Sequence, residues 1–484
     1  MASVKAYKQG AAGEPSFPSD FEILEKAVLQ KTDLKNNNNK YYAIELHSGG
    51  AGTSYRVFTH YGRTDDLDTN PNAGARESRY FGADGGAAKV CYDGILREKT
   101  SASKGYKEVS LAASNIGSAK ARGTSSGHVD ARTLAKLEGD KAATKKAAPV
   151  IKPSTLPPGV QALIGYIYEE ATSALTSTVN AKITANGIET PLGILTIGQI
   201  EKGEQILDEL YQLFNASAKG AKRDNDLARL SGDFYTTVPH RIGRTRSAIA
   251  SAVIDSLEEF QAKQETLQLM KDMLQVNGEG GQNILFDSQV DQKYKALGCE
   301  VGWIEPGSGP FREIAGYVTG SQVKSRNVKV TNIYTLKRGK EHASFADTVG
   351  NHKLLFHGSR IKNWVGILSR GILLPKIVVS MGVNRTDAGW LGHGIYFGDA
   401  ACTASFYTSP GRKGTRLMGI ARVALGKMKD YTKITYGLNE PPPGYDSCHG
   451  IRRKPGVNSQ FDDDEYVVYR TEQQRLEYLV EMTA

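Results

Sequence analysis

Cysteine is scarce: four among 484 residues, at positions 91, 299, 402 and 448, with no C-x-x-C pair. Cys448 and His449 are the one close Cys/His pair, and two adjacent ligands do not complete a tetrahedral site. Neither a disulfide framework nor a structural zinc is expected, and no metal. Long apolar runs are missing too. None approaches the ~18 residues that span a bilayer, and the opening MASVKAYKQGAAGEPSF has no apolar stretch of the secretory kind. The expectation is a soluble intracellular protein with no membrane partner. Charge is only mildly one-sided, 61 Lys+Arg against 52 Asp+Glu. With 39% hydrophobic and 23% charged residues the chain is globular, not disordered throughout. Its length suggests about two to four domains.

The positive excess is uneven. Residues 1–100 carry 13 basic and 13 acidic side chains, whereas 101–150 carry nine against four. A basic stretch between domains can attract a polyanion such as nucleic acid, or can simply be solvated. From about 111 to 155 the chain is rich in Ala, Ser, Gly and Lys and ends in Pro153, Pro157 and Pro158. Such a segment buries too little apolar surface to order itself and is read as a basic linker.

Before it, Tyr41 to Leu46 and Tyr55 to Phe58 alternate like strands about the turn Ser48 to Gly52, a β-hairpin in a small β-rich module over 1–110. Asn36 to Asn39 reads as a polar loop. After the linker, 156–276 reads as helical. Thr196 and Gln199 form a capping box, followed by Ile206, Leu207, Leu210, Tyr211 and Phe214 at helical spacing. A longer stripe runs Ile249, Val253, Leu257, Phe260, Leu267, Met270 and Leu274. Both stripes are the core of an all-α bundle.

The last segment, 277–484, reads as mixed α/β with antiparallel sheets. Leu354 to Phe356, Leu417 to Leu425, Glu465 to Tyr469 and Leu476 to Met482 are strands; in the last, Glu477 and Glu481 oppose the apolar face. The cluster Gly389 to Gly394 spells G-x-x-G-x-G, not the dinucleotide fingerprint G-x-G-x-x-G. The fold class is therefore α+β multidomain.

Three separated motifs carry the chemistry: LLFHGSR at 354–360, GHGIYFGDAACTASFY at 392–407 and DDDEYVVY at 462–469. In this order they resemble the His-Tyr-Glu signature of the poly(ADP-ribose) polymerase catalytic domain. Upstream, TPLGILTIGQIEKGEQILDEL and LSGDFYTTVPH resemble the helical regulatory domain of the DNA-dependent members. HYGRTDD resembles their WGR module, with Tyr61 where the tryptophan is expected.

The resemblance implies an ADP-ribosyltransferase that uses NAD as co-substrate, releases nicotinamide and modifies proteins, itself included. Tyr396 and Tyr407 would form the nicotinamide slot, Gly358 would let the backbone reach the carboxamide, and His357 would hold the adenosine ribose. Ser359 and Asn363 would line the adenosine side. Glu465 would be the catalytic carboxylate, stabilising positive charge on the ribose as the glycosidic bond breaks. The intact set implies chain elongation.

Three positions of this segment depart from the family pattern, among them His393, where the family often carries a lysine. Ala404 stands where a serine is usual, with Thr403 or Ser405 as substitutes. Leu373 replaces an arginine, with Arg370 nearby. By resemblance the WGR-like module senses DNA breaks or nicks; Tyr61, Arg63 and Arg56 are its candidate contacts, with Lys104 and Lys107 for phosphate. Such an enzyme would be nuclear in a eukaryote and in the cytoplasm or nucleoid of a bacterium. Two rival readings remain: a DNA-binding scaffold with weak or absent transfer, and an NAD glycohydrolase.

Overall fold

The computed structural model describes residues 4–70, 72–114, 116–118, 153–184, 187–216, 219–242, 245–278, 290–322, 328–374 and 389–483. The chain divides into two compact units, one of residues 1–150 and 176–270, the other of 151–175 and 271–484. The helical segment is thus shared between them, and most of the stretch read as a linker lies outside the described residues.

The first unit holds a six-stranded antiparallel sheet of β1 (Tyr7–Lys8), β2 (Glu22–Asp33), β3 (Asn38–Gly49), β4 (Ser54–Arg63), β5 (Ala75–Gly82) and β6 (Lys107–Glu108), in the order β1-β5-β4-β3-β2-β6. The expected hairpin is β3–β4, closed where Gly49 pairs Ser54. It is longer than the alternation indicated, and Asn38 and Asn39 belong to β3 instead of a loop. Alternate residues of β3 face two cores. Tyr42, Ile44 and Leu46 pack with Ala88 and Tyr92 of helix Gly85–Thr100, while Tyr41 and Ala43 pack with Val109, Ile116 and Leu192. A strand covered on both faces is apolar on both.

Leu111–Ala113, assigned by composition to the linker, forms β7. It joins β8 (Lys182–Thr184), β9 (Gly187–Thr190) and β10 (Gly193–Leu195) in a small sheet ordered β7-β10-β9-β8. Helices Ile197–Ala216, Ala221–Thr237 and Leu257–Gly278 follow, the last two separated by the short Arg246–Ala250. Half of the expected capping box forms: Gln199 N–H donates to Thr196 Oγ1 at 3.1 Å. The Gln199 side chain instead bridges Ser110 N–H and Thr237 C=O. The second stripe is not one helix; Thr245 caps the short helix, and the Ser256–Glu259 pair caps the long one.

The second unit is built on a nine-stranded sheet: β11 (Glu300–Ile304), β12 (Lys329–Lys337), β13 (His352–Gly358), β14 (Ile395–Gly398), β15 (Arg416–Ala424), β16 (Met428–Tyr431), β17 (Ser447–Gly450), β18 (Glu465–Val468) and β19 (Gln474–Thr483). The order is β11-β12-β19-β15-β13-β14-β18-β17-β16, antiparallel except for β16–β17. All four expected strands are present. Helix Gly309–Gly320, capped by Ser308, lays Ile314 and Val318 on Phe356, Met418, Ile420 and Val480. Glu481, expected on a polar face, is buried, bonding Asn332 Nδ2 and Thr415 Oγ1. In this unit Tyr166 of helix Pro158–Thr178 reaches Thr415. Among the described residues no helix is long and apolar enough to cross a membrane.

Candidate active site

Strands β13, β14 and β18 are neighbours, and their registers, Phe356 opposite Gly398 and Gly398 opposite Glu465, converge at one end of the sheet. His357 and Gly358 end β13, Tyr396 lies on β14, and Glu465 opens β18. The three motifs, more than 100 residues apart at the extremes, therefore meet at one pocket of about 430 Å³. It is lined by Phe356, His357, Gly358, Tyr396, Phe397, Gly398, Thr403, Ala404, Tyr407 and Glu465. A Cβ on Gly358 would collide with the Ala404 carbonyl, so only glycine lets β13 lie this close to helix Ala401–Ser405.

His357 Nδ1 lies 3.0 Å from the Tyr396 carbonyl. A carbonyl only accepts, so Nδ1 carries the proton and Nε2 is left as an acceptor. Burial pushes the imidazole pKa down, which keeps the ring neutral. The Tyr396 hydroxyl donates to Gly392 C=O at 2.8 Å and accepts from Leu391 N–H at 2.9 Å. Both its hydrogen-bonding roles are used, and its phenol is raised well above the ordinary value by burial. Among the described residues no donor engages the Glu465 carboxylate. Burial and then the Asp463 charge push its pKa to about 7. An acid kept uncompensated at a pocket wall has the character of a functional group.

The other candidates separate. Tyr407 lines the pocket and is 54% exposed. Ser359 and Asn363 are bonded to each other at 3.2 Å and do not line it. Leu373 is 44% exposed, and Arg370 makes a two-pronged pair with Asp272, at 2.7 and 3.0 Å. Ser405 Oγ is turned away, donating to Cys402 C=O, whereas Thr403 lines the pocket. Phe356 and Phe397, which the sequence reading passed over, are the apolar wall; each adjoins a motif residue, and that adjacency was the available signal. No group of His, Cys, Asp and Glu suited to a metal occurs among the described residues.

In the first unit Tyr61 and Arg63 line an open, basic recess with Lys40, Tyr42, Arg79, Lys99 and Tyr106. Tyr61 stacks on Tyr42 at 5.1 Å and donates its hydroxyl to Glu77, and Lys99 sits over the Tyr42 ring. Arg63 bonds Asn37 C=O and Asp65. Arg56 does not join them: it packs over Phe17 and Phe21 and donates to His47 Nδ1. Lys107 pairs with Asp233 at 2.8 Å, and Lys104 is exposed.

Comparison with known proteins finds three matches along the chain. Residues 308–458 match the poly(ADP-ribose) polymerase catalytic domain, 154–292 the poly(ADP-ribose) polymerase regulatory domain, and 25–112 the WGR domain. The chain belongs to the poly(ADP-ribose) polymerase family. It is 33% identical over 335 residues to the protein mono-ADP-ribosyltransferase PARP4 of Homo sapiens, covering 69% of this chain but 18% of that protein. The mouse counterpart is covered to 16%. It is 26% identical to poly [ADP-ribose] polymerase 2-A of Oryza sativa subsp. japonica, covering 94% of this chain and 69% of the relative. It is 25% identical to the mouse protein mono-ADP-ribosyltransferase PARP3, covering 94% and 87%. The chain thus spans under a fifth of the two PARP4 relatives and over two thirds of the other two.

Proposed function

We propose that the chain is an NAD+-dependent protein ADP-ribosyltransferase. The observation that carries this reading is the convergence of His357, Tyr396 and Glu465 on one aromatic pocket, with an acid left uncompensated. The pocket chemistry fits NAD+ from the nicotinamide end: aromatic walls for the ring, the His357 Nε2 acceptor for a ribose hydroxyl, and Glu465 for the ribose that turns positive. The bond between nicotinamide nitrogen and ribose C1′ breaks, and nicotinamide leaves neutral with the bonding pair. An acceptor oxygen or nitrogen bonds C1′ and gives its proton to Glu465 or water. Glu465 bonds the nicotinamide ribose and stabilises the oxocarbenium-like state.

Chain elongation is the product this reading favours. Single-unit transfer is the second reading, favoured by the two relatives that are 33% identical, both named protein mono-ADP-ribosyltransferases. The modules run 1–110, 156–276 and 277–484; Leu111–Ala113 being strand β7, the basic linker begins after it. The recess holding Tyr61 and Arg63 contacts broken or nicked DNA and relieves a block imposed by the helical module, placing the enzyme in the nucleus of a eukaryote.

Incorporation of labelled NAD+ by the purified chain, with and without nicked DNA, tests this. Ladders that need DNA support the full reading, and discrete DNA-independent labelling leaves single-unit transfer. Free ADP-ribose without label means hydrolysis, and DNA binding with no turnover means a scaffold.

A further inference from the structure

We infer that His449 is a positioning residue for Glu465, gripping the residues on either side of that acid; the inference rests on the NAD+ reading above. Glu465 has little of its own to fix it. Among the described residues no donor engages its carboxylate, and its cross-strand partners on β14 and β17 are Gly398 and Gly450. Neither offers a side chain to pack beside it. A Cβ on Gly450 would collide with the Phe461 ring, so β17 has no room for one.

The residues flanking Glu465 are held instead. Strand alternation turns Tyr466 to the reverse face of the sheet. There it lies opposite His449 in register and stacks on its ring, centroids 4.5 Å apart and planes 9° from parallel. His449 Nε2 lies 2.9 Å from Asp464 Oδ1, and Nδ1 lies 2.9 Å from Asp430 Oδ1 on β16. Carboxylates only accept, so both ring N–H groups donate. Arg452 meets the same carboxylate, donating its backbone N–H to Asp464 Oδ1 at 3.0 Å with Nη1 3.5 Å from Oδ2, and its guanidinium reaches Asp399, next to Gly398, at 2.9 Å. Lys353 donates to the Tyr466 hydroxyl at 3.2 Å. One imidazole thus links residues 464 and 466 from behind the sheet. Its side chain is 14% exposed and does not line the pocket, so its effect on the reaction passes through Glu465.

The test is release of nicotinamide from NAD+ by the full chain, with kcat counted per nicotinamide-binding site from calorimetry so that unfolded protein drops out. His449→Phe keeps a ring on Tyr466 and removes both N–H groups. It should lower kcat by roughly 10- to 100-fold, the range that a displacement of about 1 Å produces. KM for NAD+ and nicotinamide affinity should stay within about two-fold of wild type. His449→Gln, which keeps an N–H for Asp464, should recover part of the loss. Asp464→Ala releases the same bond from its other end, so the double variant with His449→Phe should be no slower than the slower single. Should His449→Phe fail to fold, Asp464→Ala carries the comparison. An unchanged kcat per site in either folded single variant, a glutamine variant no faster than the phenylalanine one, or losses that multiply in the double variant each overturn the inference and leave the NAD+ reading intact. Wild type that releases no nicotinamide from NAD+ would end the NAD+ reading, and the inference with it.

Discussion

Two buried glutamates, one in each unit, behave in opposite ways. Glu45 on β3 is fully buried; burial alone would raise its carboxyl, but the His47 hydrogen bond, the Lys26 charge and the Ser118 N–H outweigh it and hold the pKa at about 2. Lys26 Nζ lies 3.5 Å away, and His47 passes the contact on to Arg56. Glu465 has burial and a neighbouring aspartate but no compensating donor among the described residues, and is pushed to about 7. The first acid is part of what holds the β module together. The second is uncompensated in its pocket, and a bound cation or ribose would supply what it lacks. Isolation, more than burial or charge, separates the acid proposed to act from the acid that holds.

Glu465→Gln should cause the largest change. It should cut ADP-ribosyl transfer by roughly a thousand-fold or more while nicotinamide still binds. The folded pKa is raised, so this group's favourable contribution is present below about 4.5 and lost as pH rises through about 7. The glutamine variant should accordingly melt no lower than wild type at pH 8, and a large drop there would return Glu465 to the class of Glu45.

Glu45→Gln should do the reverse. Breaking a buried pair costs on the order of 3–5 kcal/mol. The depressed pKa makes this contribution present above about 4.5 and lost as pH falls toward about 2. Calorimetric melting should therefore show the deficit at pH 7 and a shrinking gap in acid, with catalytic-unit chemistry untouched in whatever fraction stays folded.

Asp272→Asn is intermediate. Asp272 is 2% exposed, its helix ends within the catalytic unit, and a side chain on Gly366 would collide with it. Loss of the two-pronged pair with Arg370 should destabilise that unit by about 2–3 kcal/mol, read as a lowered Tm. If the helical module restrains the enzyme, DNA-independent turnover should rise as well. Arg63→Gln should have the smallest effect: a few-fold weaker DNA binding and a salt slope shallower by about one. An unchanged slope would leave Arg63 as a partner of Asp65 and Asn37 alone.

Two of the three strands that carry the site, β13 and β18, were readable because their signal is local, whereas the four residues of β14 were not read as a strand. β13, β15, β18 and β19 each show their apolar pattern within ten residues, and the three motifs sit at strand ends where the sheet order brings them together. What escaped depends on distant partners. Leu111 to Ala113 look like linker until Gly193 to Leu195 pairs with them some 80 residues later. Arg56 reads as a free cation beside Tyr61 and Arg63, yet strand alternation puts it on the opposite face, against Phe17 and Phe21. Arg370 resembles a spare ligand until Asp272, 98 positions away, takes it. The choice between Thr403 and Ser405 turns on which way each faces within one short helix, a fact that no periodicity in five residues encodes.

The most direct test is the pH dependence of kcat/KM for NAD+-dependent nicotinamide release, for wild type beside Glu465→Gln. An ionised, isolated Glu465 predicts a rate that climbs through an apparent pKa near 7 in the free enzyme, with the limb absent from the nearly inactive variant. A flat wild-type profile from pH 5.5 to 9, or a variant that retains the same rising limb at comparable rate, would contradict the account.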